Sequence, residues 1–129
     1  MAILKISDLS VGDWIQNNYG DFVKVAGIWQ DGNLNYQVDI LRDGVIATIL
    51  PCNLYPIPIT AEILEKNGFE CIEEDADTAL YGTPSCSIFH TKGTLRYRLD
   101  TPQASVVCWN IHDLQHALRL AGVDKEINL

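Results

Sequence analysis

Two Asp-Gly dipeptides, Asp31-Gly32 and Asp43-Gly44, cut the first half of this chain into apolar stretches too short to be read as anything but strands. A tight hairpin turn needs positive φ at its central residues, and Asp and Gly tolerate it best. Between the two turns, Leu34–Leu41 places Tyr36, Val38 and Ile40 at every second position, which predicts a half-buried strand. Val45–Leu50 follows the second turn. Upstream, Trp14–Asn17 and Phe22–Gln30 flank a turn at Tyr19-Gly20-Asp21. Val11-Gly12-Asp13 reads as a further turn, with Asp13 placed to accept from neighbouring amides.

Short strands joined by tight turns within residues 1–58 predict a small barrel, and an SH3-like barrel is the closest fit. Such barrels serve as nucleic-acid, peptide and protein modules alike, so the fold by itself licenses no function. Pro56 and Pro58 then favour an extended connector in which regular pairing stops. Thr60 is placed to cap a helix over 61–67, with Gly68 at its left-handed end and Phe69 turning back. A strand over Phe69–Glu73 leads into an acidic loop through Asp77. Strands over Cys86–Thr91, Leu95–Asp100 and Ser105–Asn110 form a meander turned at Lys92-Gly93 and Thr101-Pro102. Asn110 caps a final helix that Gly122 ends. The expected whole is an α+β chain: a barrel over 1–58, then helix, antiparallel sheet and helix over 59–129, packed as one unit.

Composition narrows the function classes. The 129 residues are 47% apolar, enough for a core without disulfides, and carry a formal charge of −8. The nine Lys and Arg are scattered; Arg96 and Arg98, flanking Tyr97, are the one pair sharing a strand face. Nucleic acid is therefore an unlikely partner, since phosphate binding needs a basic stripe. The cysteines at 52, 71, 86 and 108 form no C-x-x-C pair and read as four reduced thiols. No signal-peptide pattern or membrane-length apolar run is present, so a cytoplasmic protein is expected.

His112-Asp113-Leu114-Gln115-His116 approaches the H-E-x-x-H zinc signature, with Asp for Glu. Two imidazoles one helical turn apart can share a metal, which makes a hydrolase the remote alternative. Asp113 is better explained as the carboxylate that answers the Asn110 cap. Third-ligand candidates Asp124 and Glu126 lie past the helix end, and a zinc enzyme needs three protein ligands. Ile111, Leu114, Leu118 and Ala121 form the apolar face, which leaves His112, Gln115, His116 and Arg119 toward water or a partner. No metal or other cofactor is expected. Asp31-Gly32-Asn33-Leu34-Asn35 imitates a calcium loop but has Tyr36 and Arg42 where Gly and Glu belong. Glu70, Glu73, Glu74, Asp75 and Asp77 read as a solvated loop. No serine stands in a nucleophile elbow, and Cys108 gains no oriented base from His112. Trp14, Trp29 and Trp109 are expected in the core.

Three blocks carry a resemblance: Leu4-Lys5-Ile6-Ser7-Asp8-Leu9 with Val11-Gly12-Asp13-Trp14; Pro56-Ile57-Pro58-Ile59-Thr60 with Ile63-Leu64-Glu65-Lys66-Asn67-Gly68-Phe69; and His112-Asp113-Leu114-Gln115-His116-Ala117-Leu118. Together the chain resembles a family of small uncharacterised proteins of phages, prophages and mobile elements of gut anaerobic bacteria. That family carries no established activity, so the resemblance implies a setting and no catalytic residue. The expected function is a non-enzymatic accessory protein that contacts a host or phage protein. Arg96, Tyr97, Arg98, His112, His116 and Arg119 are its candidate surface. A nucleic-acid-associated SH3-like module is the alternative.

Overall fold

In the computed structural model, which describes residues 4–129, the chain is a mixed α+β protein with two five-stranded antiparallel sheets and two α-helices. It divides into two compact units, one up to Ile57 and one from Pro58.

The first unit holds β1 (Trp14–Asn17), β2 (Phe22–Gln30), β3 (Tyr36–Arg42), β4 (Val45–Ile49) and β5 (Leu54–Tyr55), in the order β4-β3-β2-β1-β5. Strand periodicity sorts the side chains. Ile15, Val23, Val25, Val38, Ile40 and Leu54 fill one face as the core, with Leu9 beside them. Asp43 and Gly44 take φ of 49° and 79°, and Arg42 pairs directly with Val45, as a two-residue hairpin requires. Asn17 closes the β1–β2 turn by accepting from the Tyr19 and Asp21 amides. Asp13, fully buried, accepts from the Ser10 amide at 2.8 Å.

Three expectations change here. The sheet is open: among the described residues β4 and β5 are its two edges and do not pair, so no closed barrel forms. The first hairpin does not turn on Asp31-Gly32 alone. Asp31 Oδ1 accepts from the amides of Asn33 and Asn35, and Leu34 carries the positive φ, so the loop runs through Asn35. The side-chain acceptor stabilises a wider turn than the dipeptide predicts. Within the connector, Leu54 and Tyr55 pair with Asn17 and Gln16 before Pro56 ends the strand.

The second unit begins at a capped helix, α1 (Ala61–Lys66). Thr60 Oγ1 accepts from the Ile63 amide at 3.2 Å. Its end is a Schellman turn: Phe69 N–H reaches the Leu64 carbonyl and Gly68 N–H the Glu65 carbonyl, with Gly68 at φ 85°. A meander follows through β6 (Glu70–Glu74), β7 (Thr78–Gly82), β8 (Ser87–Thr91), β9 (Tyr97–Asp100) and β10 (Ser105–Cys108), to α2 (Ile111–Leu120). The strand at Thr78–Gly82 is not among those expected from the sequence. There Ala79 and Tyr81 face inward while Leu80 faces out, so apolar residues sit on both faces and blur the alternation. The strand expected over Phe69–Glu73 forms as β6, one residue further on, and of the acidic group Asp75 and Asp77 belong to the turn after it.

The α2 cap forms as expected, with Asn110 Oδ1 accepting from Asp113 N–H at 2.9 Å. The Asp113 carboxylate reaches back one residue further than a capping box, to the Trp109 amide at 3.1 Å. The helix closes in a second Schellman turn through Gly122, with Val123 N–H on the Leu118 carbonyl. Ile111, Leu114 and Leu118 are fully buried.

Candidate functional site

Helix α2 carries the H-D-x-x-H motif, and its geometry does not assemble a metal centre. His112 is 2% exposed, which overturns its placement toward water or a partner. His116 is half-buried. Their rings meet edge-on, 6.0 Å apart at 65°. Asp113 is committed to the Trp109 amide, its other oxygen standing 4.0 Å from His112 Nε2. Among the described residues no three His, Cys, Asp or Glu cluster to hold an ion. Asp124 and Glu126 are exposed, and Glu126 lies 3.8 Å from Arg119.

Gln115, also assigned to the polar face, is buried for a structural reason. Its amide donates to the Lys125 carbonyl at 3.1 Å and its oxygen accepts from Ile127 N–H at 2.7 Å. The segment after the helix folds back over α2 and covers the side that periodicity assigned to water. Nothing within the helix sequence announces that cover.

The Arg96-Tyr97-Arg98 strand separates by face. Tyr97 is 6% exposed and stacks on His90 with ring centres 3.9 Å apart, so it is no surface aromatic. Burial pushes its phenol up to about 12. Arg98 lies outward, over the Phe89 ring at 5.2 Å and against Asp100 at 2.9 Å. Burial raises the Asp100 carboxyl, but hydrogen bonds from Arg98 and Ser105 outweigh it and hold it below the ordinary range. Arg96 is exposed. With its ring turned inward and one of two cations paired, the strand offers no stacking platform for a base.

The tryptophans depart from expectation as well. Trp14 is half-buried with Lys24 Nζ 5.0 Å above it, while Trp29 and Trp109 are 44% and 52% exposed. Trp14 and Trp29 belong to a surface of the first unit that no single stretch of sequence announces. The face of the sheet opposite its core carries Tyr55, Gln16 and Phe22 in one cross-strand row, and Trp14, Lys24, Leu41 and Ile46 in the next. Phe22, Leu41, Ile46 and Tyr55 are all exposed. Beyond them Trp29 donates its indole N–H to Asp39, which also accepts from Thr48 at 2.7 Å. Asp39 thereby sets the orientation of the Trp29 ring. The face thus combines aromatic and aliphatic side chains with Lys24 and Asp39 as its charges.

The missed signal was the register itself. Phe22, Leu41 and Ile46 each looked like an isolated exposed apolar residue, which is ordinary on a protein surface. Strand order brings them together.

Two depressions are less informative. One of about 630 Å³ lies in the second unit between the 83–85 turn, the 102–103 turn and residues 121–125. Its charged residues are Asp124 and Lys125, and Lys125 Nζ sits 5.3 Å over the Phe69 ring. The other, about 260 Å³ and mostly apolar, lies in the first unit between residues 17–19 and the β3–β4 hairpin.

No helix among the described residues is long and apolar enough to cross a membrane. Comparison of the chain with protein-family models, with curated proteins and with solved structures finds no match.

Proposed function

We propose that this chain is a non-enzymatic interaction protein that docks a protein partner on the outer face of its first sheet. The setting would be the phage or mobile element to which its three sequence blocks point. The observation that carries the reading is the band formed by Tyr55, Phe22, Trp14, Leu41 and Ile46, with Trp29 beyond it. Interfaces concentrate their binding energy in aromatic anchors surrounded by sparse charge. A contiguous exposed apolar patch is the usual mark of such a site. The rest of the chain is acidic, at −8 overall, so the partner that fits is an apolar patch rimmed with Lys or Arg.

We read the first unit as SH3-like in topology, though open. The strand order β4-β3-β2-β1-β5 supports this reading, as does the bulge between Val25 and Gly27 that bends β2. So does the 3₁₀ turn Pro51–Asn53 just before the last strand.

The test is affinity capture with the full chain, followed by identification of the partner and rebinding of the purified pair. Phe22→Asp or Tyr55→Asp should weaken rebinding by ~2 kcal/mol or more, as loss of an anchor does. Val106→Asp, on the second sheet, should leave it unchanged. Equal binding by all variants would reject this face. Salt-sensitive binding to DNA or RNA in its place would favour a nucleic-acid module.

A further inference from the structure

The four sheet edges among the described residues are not protected alike. An edge strand exposes unpaired N–H and C=O groups that will pair with any suitable strand, and proteins blunt edges with charge, proline, bulges or brevity. Edge β6 carries Glu70, Glu73 and Glu74 and a bulge between Cys71 and Glu73. Edge β5 has two residues and meets Pro56. Edge β10 has four, bounded by Pro102 and the α2 cap. Edge β4, five residues between Asp43 and Pro51, has no such device within the strand. Val45-Ile46-Ala47-Thr48-Ile49 contains no charge and no proline, and its pairing with β3 is regular along its length. Val45 and Ile46, which point to opposite faces, are 65% and 63% exposed.

We propose that β4 pairs antiparallel with β4 of a second copy, joining two five-stranded sheets into one of ten strands. The occupant follows from self-complementarity. With a two-fold axis at Ala47, Val45 of one copy stands opposite Ile49 of the other, and Ile46 opposite Thr48. Each pair keeps to one face of the combined sheet, and β-branched pairs of this kind favour association. The charges that flank the strand do not meet. Arg42 lies one strand further in, on β3, where it pairs with Asp21 at 3.0 Å, and Asp43 lies in the turn beyond the strand, so two chains of charge −8 approach along a neutral line. Of the edges without charge, β4, β5 and β10, β4 is the longest and the most exposed, so a second β4 is the strand that fits it. The pairing is independent of the partner proposed for the outer face, although it would set two copies of that face side by side.

Sedimentation velocity of the full chain across a concentration series tests the pairing. A dimer is expected, and Ala47→Lys, which opposes two ammonium groups on the axis, should return it to monomer. A second variant guards against misfolding: Ala47→Cys in a Cys52→Ser, Cys71→Ser background should form a reducible intermolecular disulfide under mild oxidation. Ile72→Cys, an exposed position of the second unit, should form none in that background. A chain that is monomeric at every concentration, or a dimer that survives Ala47→Lys, overturns the proposal. So does a monomer whose β4 amides gain exchange protection only when a different protein is added, which assigns the edge to that protein.

Discussion

Asn67 and Asn128 stand 61 positions apart and hold each other by two hydrogen bonds. The Asn67 amide donates to the Asn128 carbonyl at 2.9 Å, and Asn128 N–H donates to Asn67 Oδ1 at 2.7 Å. Asn67 is also the C-cap of α1, so the chain's last residues are tied to the first helix of their unit. Gln115 grips the same segment from α2, at Lys125 and at the buried Ile127.

Removing either clamp should therefore destabilise the second unit. Gln115→Ala removes the buried hydrogen bond that Gln115 Oε1 accepts from Ile127 N–H, and loss of such a bond costs ~1–3 kcal/mol. Thermal melts should show a clear drop in Tm for Gln115→Ala and Asn67→Ala. Asn33→Ala, in an exposed loop, should melt like the unaltered chain.

The thiols should separate into two classes. Cys52 and Cys71 are exposed, whereas Cys86 and Cys108 are buried. Burial pushes the Cys108 thiol up to about 12, far from the thiolate that reacts. A thiol reagent near neutral pH should modify Cys52 and Cys71 quickly and the other pair only on unfolding. Peptide mapping that found Cys108 labelled early would contradict the packing of β10.

Tyr97 gives a prediction for alkaline pH. Its phenol is raised from 10.0 to about 12 by burial, so in that interval the unfolded chain loses the proton while the folded one keeps it. The unfolded state then binds fewer protons, and stability falls as pH rises from 10 toward 12. Tyr97→Phe keeps the ring on His90 and removes the titrating group. Its Tm should decline less steeply over that interval, measured as melts against pH.

Metal chelation should leave the protein's Tm unaltered. A zinc site needs further ligands at ~2.0–2.2 Å, and among the described residues no His, Cys, Asp or Glu joins His112 and His116 as a cluster of three. Elemental analysis of untagged protein showing stoichiometric zinc, with a chelator-induced drop in Tm, would restore the hydrolase reading.

Much of the local structure was written in short stretches of sequence. The turns at Gly20, Asp43-Gly44, Gly68 and Gly122 take the positive φ their residues predict, and Thr60 and Asn110 cap the helices they precede. These features need partners only a few residues away, so side-chain chemistry and backbone sterics decide them before any tertiary contact forms. Even so, Asp31 overrode its own dipeptide by bonding two amides further along the loop.

Tertiary structure decided which faces are covered. Periodicity in α2 located its apolar stripe but could not reveal that residues 125–127 return to cover Gln115, and His112 was placed in solvent on the same reasoning. It could not show that Tyr97 turns inward between two arginines, or that Leu80 and Tyr81 divide between the faces of an unrecognised strand. Strand order alone made β4 an edge: a run such as Val45–Ile49 reads as a buried strand until no second neighbour is found for it among the described residues. Burial is a property of what lies opposite a residue, and in this chain the opposite group is often distant in sequence.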